Sequence, residues 1–309
     1  MPEVTRRADF RTRLIACALY ILLRPITAVM PANRLAILVA RAVIHVACLA
    51  SFPVRGTVIR SPDGPVRGEW VYAPAARDDG GVVLLLHGSG YAICSPRTHR
   101  GFASHLSECS GLPVFTAQYR RAPESVFPAA EDDALAAYRS LLDTGYRPDQ
   151  ITVAGDSAGG HLAITLPGRA RAEGLQPPAA LALFGPLIDP SFAASLTDRR
   201  IRGNPLHPRV GQRILALYVA GHDVQDPRLS VLNGDLGALP PMQLHYGTLE
   251  VMRADNERFA RQVRSSGGIC ETYEWPGLVH GYWMLPRQMA AAGRSIEIAA
   301  RFLSRMTSP

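Results

Sequence analysis

Residues Val82–Leu86 read Val-Val-Leu-Leu-Leu, apolar at every position. A strand with one wet face alternates, so a strand apolar throughout must be covered on both sides. Further candidate strands lie at 69–72, 113–118, 151–154, 180–184, 243–246 and 271–274. Stretches of helical period lie between them, among them 127–142, 161–171, 253–265 and 288–305. Alternating strand and helix predicts an α/β layered fold around a mostly parallel sheet. The 309 residues, 47% apolar and 19% charged, are enough to cover both faces. The segment 186–226, rich in Pro, Arg, Asp and Gly, breaks the rhythm and reads as an insertion near the mouth of a site.

Composition excludes several chemistries. All 33 basic residues are arginine, with no lysine anywhere. A lysine Schiff base, a P-loop lysine and a lysine general base are therefore impossible, which removes kinases, P-loop nucleotidases and pyridoxal enzymes. The net charge is +7. The arginines are scattered, with small clusters at Arg6, Arg7, Arg11 and Arg13 and at Arg199, Arg200 and Arg202. Without a nucleic-acid motif this reads as a solvated basic surface. Five widely spaced cysteines (Cys17, Cys48, Cys94, Cys109, Cys270) form no CxxC pair. They indicate neither a zinc site nor a disulfide framework, but buried free thiols in a reducing, cytoplasmic compartment.

The N-terminal region is hydrophobic. An apolar run at 14–23 is ended by Arg24 and Pro25, short of the about 20 residues that span a bilayer. A second, at 35–52, is interrupted by Arg41 and His45. Leu14-Ile15-Ala16-Cys17 has the look of a lipoprotein box, but the stretch before it is polar rather than apolar. Two hydrophobic helices behind a basic start fit a lid over the body of an enzyme, or else contact with a membrane surface.

The strongest chemical signal is Gly155-Asp156-Ser157-Ala158-Gly159-Gly160, placed between a strand and a helix. In this G-x-S-x-G turn the serine Oγ stands exposed on a tight bend, and the flanking glycines make room for it. The helix N-terminus behind it favours developing negative charge. A serine hydroxyl needs a base, and in this fold the partners follow in the order acid, then histidine. His280 lies in Pro276-Gly277-Leu278-Val279-His280-Gly281, between the last strand and the last helix, where a base could reach back. His245 falls inside a strand and suits packing, and His207 and His222 fall in the insertion. Glu250, just after the strand at 243–246, is the expected acid, whereas Asp255 falls in the next helix and is expected to face water. The turn His87-Gly88-Ser89-Gly90 ends a strand, so backbone N–H groups of Ser89 and Gly90, with that of Ala158, are the expected oxyanion donors.

These motifs, in this order and joined by Tyr119-Arg120-Arg121-Ala122-Pro123-Glu124, resemble the hormone-sensitive-lipase-like family of α/β-hydrolase carboxylesterases. The resemblance runs from about residue 66 to the C-terminus. It implies an α/β-hydrolase domain at 56–309, a helical cap at 1–55 with 186–226 as a cap insertion, and hydrolysis of short- to medium-chain acyl esters without a cofactor or metal. Three departures stand out, one being an N-terminus more hydrophobic than a typical cap. Ser89 replaces a glycine of the family's H-G-G-G block, and Glu250 stands where aspartate is usual. An amidase or deacetylase would use the same three residues, and a non-catalytic small-ligand receptor is the alternative outside enzymes.

Overall fold

The computed structural model describes residues 8–48, 51–78, 80–88, 90–199 and 204–307. Ser89, Arg6, Arg7, Arg200 and Arg202 lie outside the described residues. Eight strands form one sheet: β1 (Val58–Arg60), β2 (Gly68–Tyr72), β3 (Val82–Leu86), β4 (Val114–Ala117), β5 (Ile151–Asp156), β6 (Leu181–Phe184), β7 (Met242–Gly247) and β8 (Cys270–Trp275). Their order is β1-β2-β4-β3-β5-β6-β7-β8, antiparallel at β1–β2 and β2–β4 and parallel from β4 onward.

β3 behaves as its composition requires. Val82, Leu84 and Leu86 enter one core with Phe115, Val153 and Leu162, while Val83 and Leu85 enter the other with Phe102, Leu106 and Ile296. The second core is roofed by α3 (Pro96–Ser110) and α9 (Ala290–Met306). The first is covered by α4 (Ala129–Asp143), α5 (Ser157–Ala172) and α8 (Arg253–Ser265). On α9 the buried side chains are Ala292, Ser295, Ile296, Ala299, Ala300, Phe302 and Leu303, the stripe of a helix lying on a sheet. The segment 186–226 contains α6 (Ala193–Thr197) and α7 (Pro208–Val219). α7 buries Val210, Ile214, Leu215 and Tyr218, so part of the insertion is an ordinary amphipathic helix.

The N-terminal region differs from expectation. α1 (Phe10–Val29) continues through Arg24 and Pro25 and is 20 residues long, so Pro25 does not end it. By length and composition it could cross a bilayer, and only 11% of its apolar window is buried within the protein. α2 (Arg34–Cys48) follows. The cysteines also depart: Cys270 is buried, Cys48 and Cys94 are half-buried, and Cys17 and Cys109 are exposed. They are free thiols, but not a uniformly buried set.

Candidate active site

Parallel strands place their carboxyl ends along one edge of the sheet, and the loops leaving that edge meet above it. Four such loops follow β3, β5, β7 and β8. They carry the turn after Leu86, Ser157, Glu250 and His280. Residues far apart in sequence meet here because β3 neighbours β5, β7 neighbours β8, and only β6 separates the two pairs.

Ser157 follows β5 directly and opens α5, with φ at +52°. A non-glycine residue in the left-handed region is strained, and such strain persists only where the surroundings impose it. Gly155 and Gly159 allow the bend: a Cβ on Gly159 would lie 1.9 Å from the Leu86 carbonyl oxygen, and one on Gly155 2.4 Å from that of Gly159. The helix begins at Ser157 itself, four residues earlier than its apolar pattern suggests.

His280 Nε2 lies 3.1 Å from Ser157 Oγ, and its Nδ1 lies 2.7 Å from Glu250 Oε1. A carboxylate only accepts, so Nδ1 carries the proton. The neutral ring then turns the Nε2 lone pair toward the hydroxyl. Burial disfavours the imidazolium, but the charge and hydrogen bond of Glu250, with the charge of Asp156, outweigh it and raise the pKa above the ordinary 6.5. Glu250 is fully buried, and its longer arm is accommodated by Gly185, which has φ +47°. A Cβ there would stand 2.8 Å from Glu250 Oε2 and 3.1 Å from Trp283. Oε2 has no hydrogen-bond partner among the described residues.

Of the expected oxyanion donors, Ala158 sits in the first turn of α5, where backbone N–H groups lack intrahelical acceptors. Gly90 has φ +56°. The N–H of Gly88 is committed elsewhere, donating to Asp156 Oδ1 at 2.7 Å. Asp255 does not face water. It is buried, accepts from Ser195 Oγ, and its pKa is pushed up to about 6 by burial, which outweighs that hydrogen bond. Its partner lies 60 residues away, so the helical pattern alone gave no sign of it. His245 stacks between Phe184 and Tyr273 in the sheet, His207 caps α7, and His222 packs edge-on to Phe127.

The structure adds residues that sequence reasoning left out. Asp156 is buried and accepts from Gly88 N–H and from Trp283 Nε1 at 2.9 Å, with His99 Nε2 at 3.2 Å from Oδ1. Burial opposes its ionisation, but His99 and these donors hold its pKa below the ordinary carboxylate value. Trp283 meets the His280 ring edge-on at 5.1 Å. One carboxylate thus ties the turn after β3 and the segment after His280 to the serine's own neighbour. Tyr91 OH lies 2.7 Å from His161 Nδ1, and His161 Nε2 lies 3.0 Å from the Leu229 carbonyl oxygen. The carbonyl can only accept, so Nε2 donates and Tyr91 donates to Nδ1. This fastens the residue after Gly90 to α5. The signal for Asp156 was present in the Gly-Asp-Ser triplet; His99 and Trp283 had none, since each meets it only through the fold.

A half-buried serine on a strained strand–helix turn, with an oriented imidazole beside it, defines a hydrolase of the α/β class. Comparison with known proteins agrees. The alpha/beta hydrolase fold family (Abhydrolase_3) matches residues 83–284. An acetyl-hydrolase of Streptomyces hygroscopicus is 39% identical over 79% of this chain and 81% of its own length. The carboxylesterase/phospholipase LipF of Mycobacterium tuberculosis is 31% identical over 86% and 74% respectively. Among solved structures, an esterase from the bacterial hormone-sensitive lipase family superposes with TM-score 0.87 at 32% identity, covering 97% of this chain and 100% of that one. A hormone-sensitive lipase from a metagenome library superposes with TM-score 0.89 at 30% identity, covering 98% and 100%. The chain belongs to the α/β-hydrolase fold family, in its hormone-sensitive-lipase-like branch, and is a hydrolase acting on esters.

Proposed function

We propose that the protein is a serine carboxylesterase cleaving short- to medium-chain acyl esters through Ser157, His280 and Glu250. The observation that carries this reading is the continuous path from Glu250 Oε1 to His280 Nδ1 at 2.7 Å and from His280 Nε2 to Ser157 Oγ at 3.1 Å. Ser157 Oγ attacks the ester carbonyl as His280 Nε2 takes its proton. Glu250 holds the ring in the tautomer that accepts there and stabilises the imidazolium. N–H groups of Ala158, Gly90 and Ser89 hold the tetrahedral oxyanion. His280 then protonates the leaving alcohol, and water attacks the acyl-enzyme by the same route.

Two observations favour a small acyl group. Ile214 of α7 stands over the turn after β3, 3.0 Å from where a Cβ on Gly90 would be. The relative from Streptomyces is named an acetyl-hydrolase. In this reading residues 1–55 and 186–226 roof the site, and 56–309 carries the chemistry. Ser157→Ala and His280→Ala should each lower hydrolysis of p-nitrophenyl acyl esters by at least ~10³-fold. An unchanged rate in either variant rejects the proposal. A series of acyl lengths tests the substrate range, and an optimum at palmitoyl contradicts it.

A further inference from the structure

α1 and α2 are amphipathic in the sense opposite to the other covering helices. On α1 the exposed positions include Phe10, Leu14, Ile21, Leu22, Ile26 and Val29; on α2 they are Leu35, Leu38, Val39, Val43 and Val46. Apart from Tyr20 and Leu23, which are exposed beside it, the exposed apolar positions of each helix share one face, and that face looks outward. Among the described residues, 14 of the 19 exposed large apolar side chains lie between Phe10 and Phe52. The inward faces attach mainly by polar contacts. Arg24 donates to the Asn204 and Leu206 carbonyls, and Thr27 to that of Pro205. Arg41 donates to the Ala92 and Ala122 carbonyls and pairs with Glu124.

We propose that α1 and α2 dock the enzyme on the surface of an anionic lipid bilayer, lying flat in its interface with their outward apolar stripes among headgroups and acyl chains. Charge selects this occupant. Between Asp9 and Asp63 the chain has no acidic residue and seven arginines, of which Arg11, Arg13, Arg34, Arg55 and Arg60 are exposed. Basic side chains beside an apolar helical face are the signature of interfacial binding to anionic lipid. In a twofold dimer through this face, the same basic patch would lie on both sides of the contact. The body contacts fix the helices as lying rather than spanning, since Arg213 also donates to the Thr27 and Ala28 carbonyls of α1.

The position of the platform gives it a role. Ala8 packs on Gly277, three residues before His280. The far end of α1 rests by hydrogen bonds on Arg213 of α7, next to the Ile214 that covers Gly90. Arg41 of α2 grips Ala92, two residues beyond Gly90. The docked surface therefore borders the serine, and amphiphilic esters dissolved in the bilayer reach it without crossing bulk water. Lipid binding stands by itself; only this last step rests on the ester reading of the site.

The test is co-sedimentation of the full chain with phosphatidylcholine vesicles, with and without phosphatidylglycerol. Binding should be strong with phosphatidylglycerol and should weaken as salt rises. Leu22→Asp with Val43→Asp, both on the outward face, should cut partitioning at least about tenfold, while thermal midpoint and hydrolysis of soluble p-nitrophenyl acetate stay unchanged. Arg11→Gln with Arg13→Gln should cut it severalfold on phosphatidylglycerol vesicles alone, and provides the test if the first pair fails to fold. Wild-type protein that ignores anionic vesicles overturns the proposal. So does equal binding by the outward-face variant, a dimer in solution that this variant splits, or resistance to alkaline carbonate, which marks a spanning helix. Loss of ester activity with vesicle binding intact would reject the catalytic reading and leave this one standing.

Discussion

β3 and α2 are built from similar residues and occupy opposite situations. Val82–Leu86 is fully buried, with side chains divided between two cores. α2 is also largely aliphatic, yet among its residues only Ile37 is buried. The sheet is held by removal of apolar surface from water, whereas the N-terminal helices are fastened by arginine and threonine hydrogen bonds. The same type of side chain therefore does different work in the two regions, and substitutions should separate them.

The largest expected effect lies on the loops the sheet supports. Glu250→Gln should lower kcat for a soluble ester by about 10³–10⁴-fold, because the imidazole loses the anion that sets its tautomer. His280 must be neutral to act as base, and its pKa is raised by Glu250 against burial. Wild-type activity should thus fall on the acid side with a midpoint above 6.5, and the residual activity of Glu250→Gln should have a lower midpoint. A midpoint that stays put would show that the carboxylate does not act on the ring. Next, Leu84→Ala removes a side chain buried between sheet and helices and should cost about 2–5 kcal/mol in denaturant unfolding. Arg41→Ala removes the clamp on Ala92 and Ala122 and should cost about 1–3 kcal/mol, read as faster hydrogen exchange or proteolysis confined to α2. Smallest is Leu38→Ala on the outward face, expected within about 0.5 kcal/mol of wild type in the absence of lipid. If Leu38→Ala rivals Leu84→Ala, the outward stripe is covered by protein and the contrast fails.

The same contrast explains what could be read in advance. The sheet was legible because strands buried on both faces must be apolar throughout, as β3 and β6 are, and because the serine turn is specified within six consecutive residues. His280 and Glu250 followed from chain order and from their places after β8 and β7. The direction of the N-terminal stripes was not legible, since a helical period states that one face is apolar but not where that face points. Pro25 misled because a proline inside a helix, though it removes one backbone hydrogen bond and crowds the carbonyl four residues back, need not end it, and α1 runs past it. Asp255, His99 and Trp283 stayed silent for a third reason: their partners Ser195 and Asp156 are brought to them by the fold, from 57 to 127 residues away.

Asp156 has a mechanical consequence. Its two oxygens grip the loop that follows β3 and the tryptophan that backs the imidazole, and its peptide bond joins it to Ser157. Thermal displacement of any one limb carries the others with it. The spacing between Ser157, His280 and the turn after β3 is therefore preserved while the whole assembly rides on the sheet, and a substitution at one limb is felt at the other two.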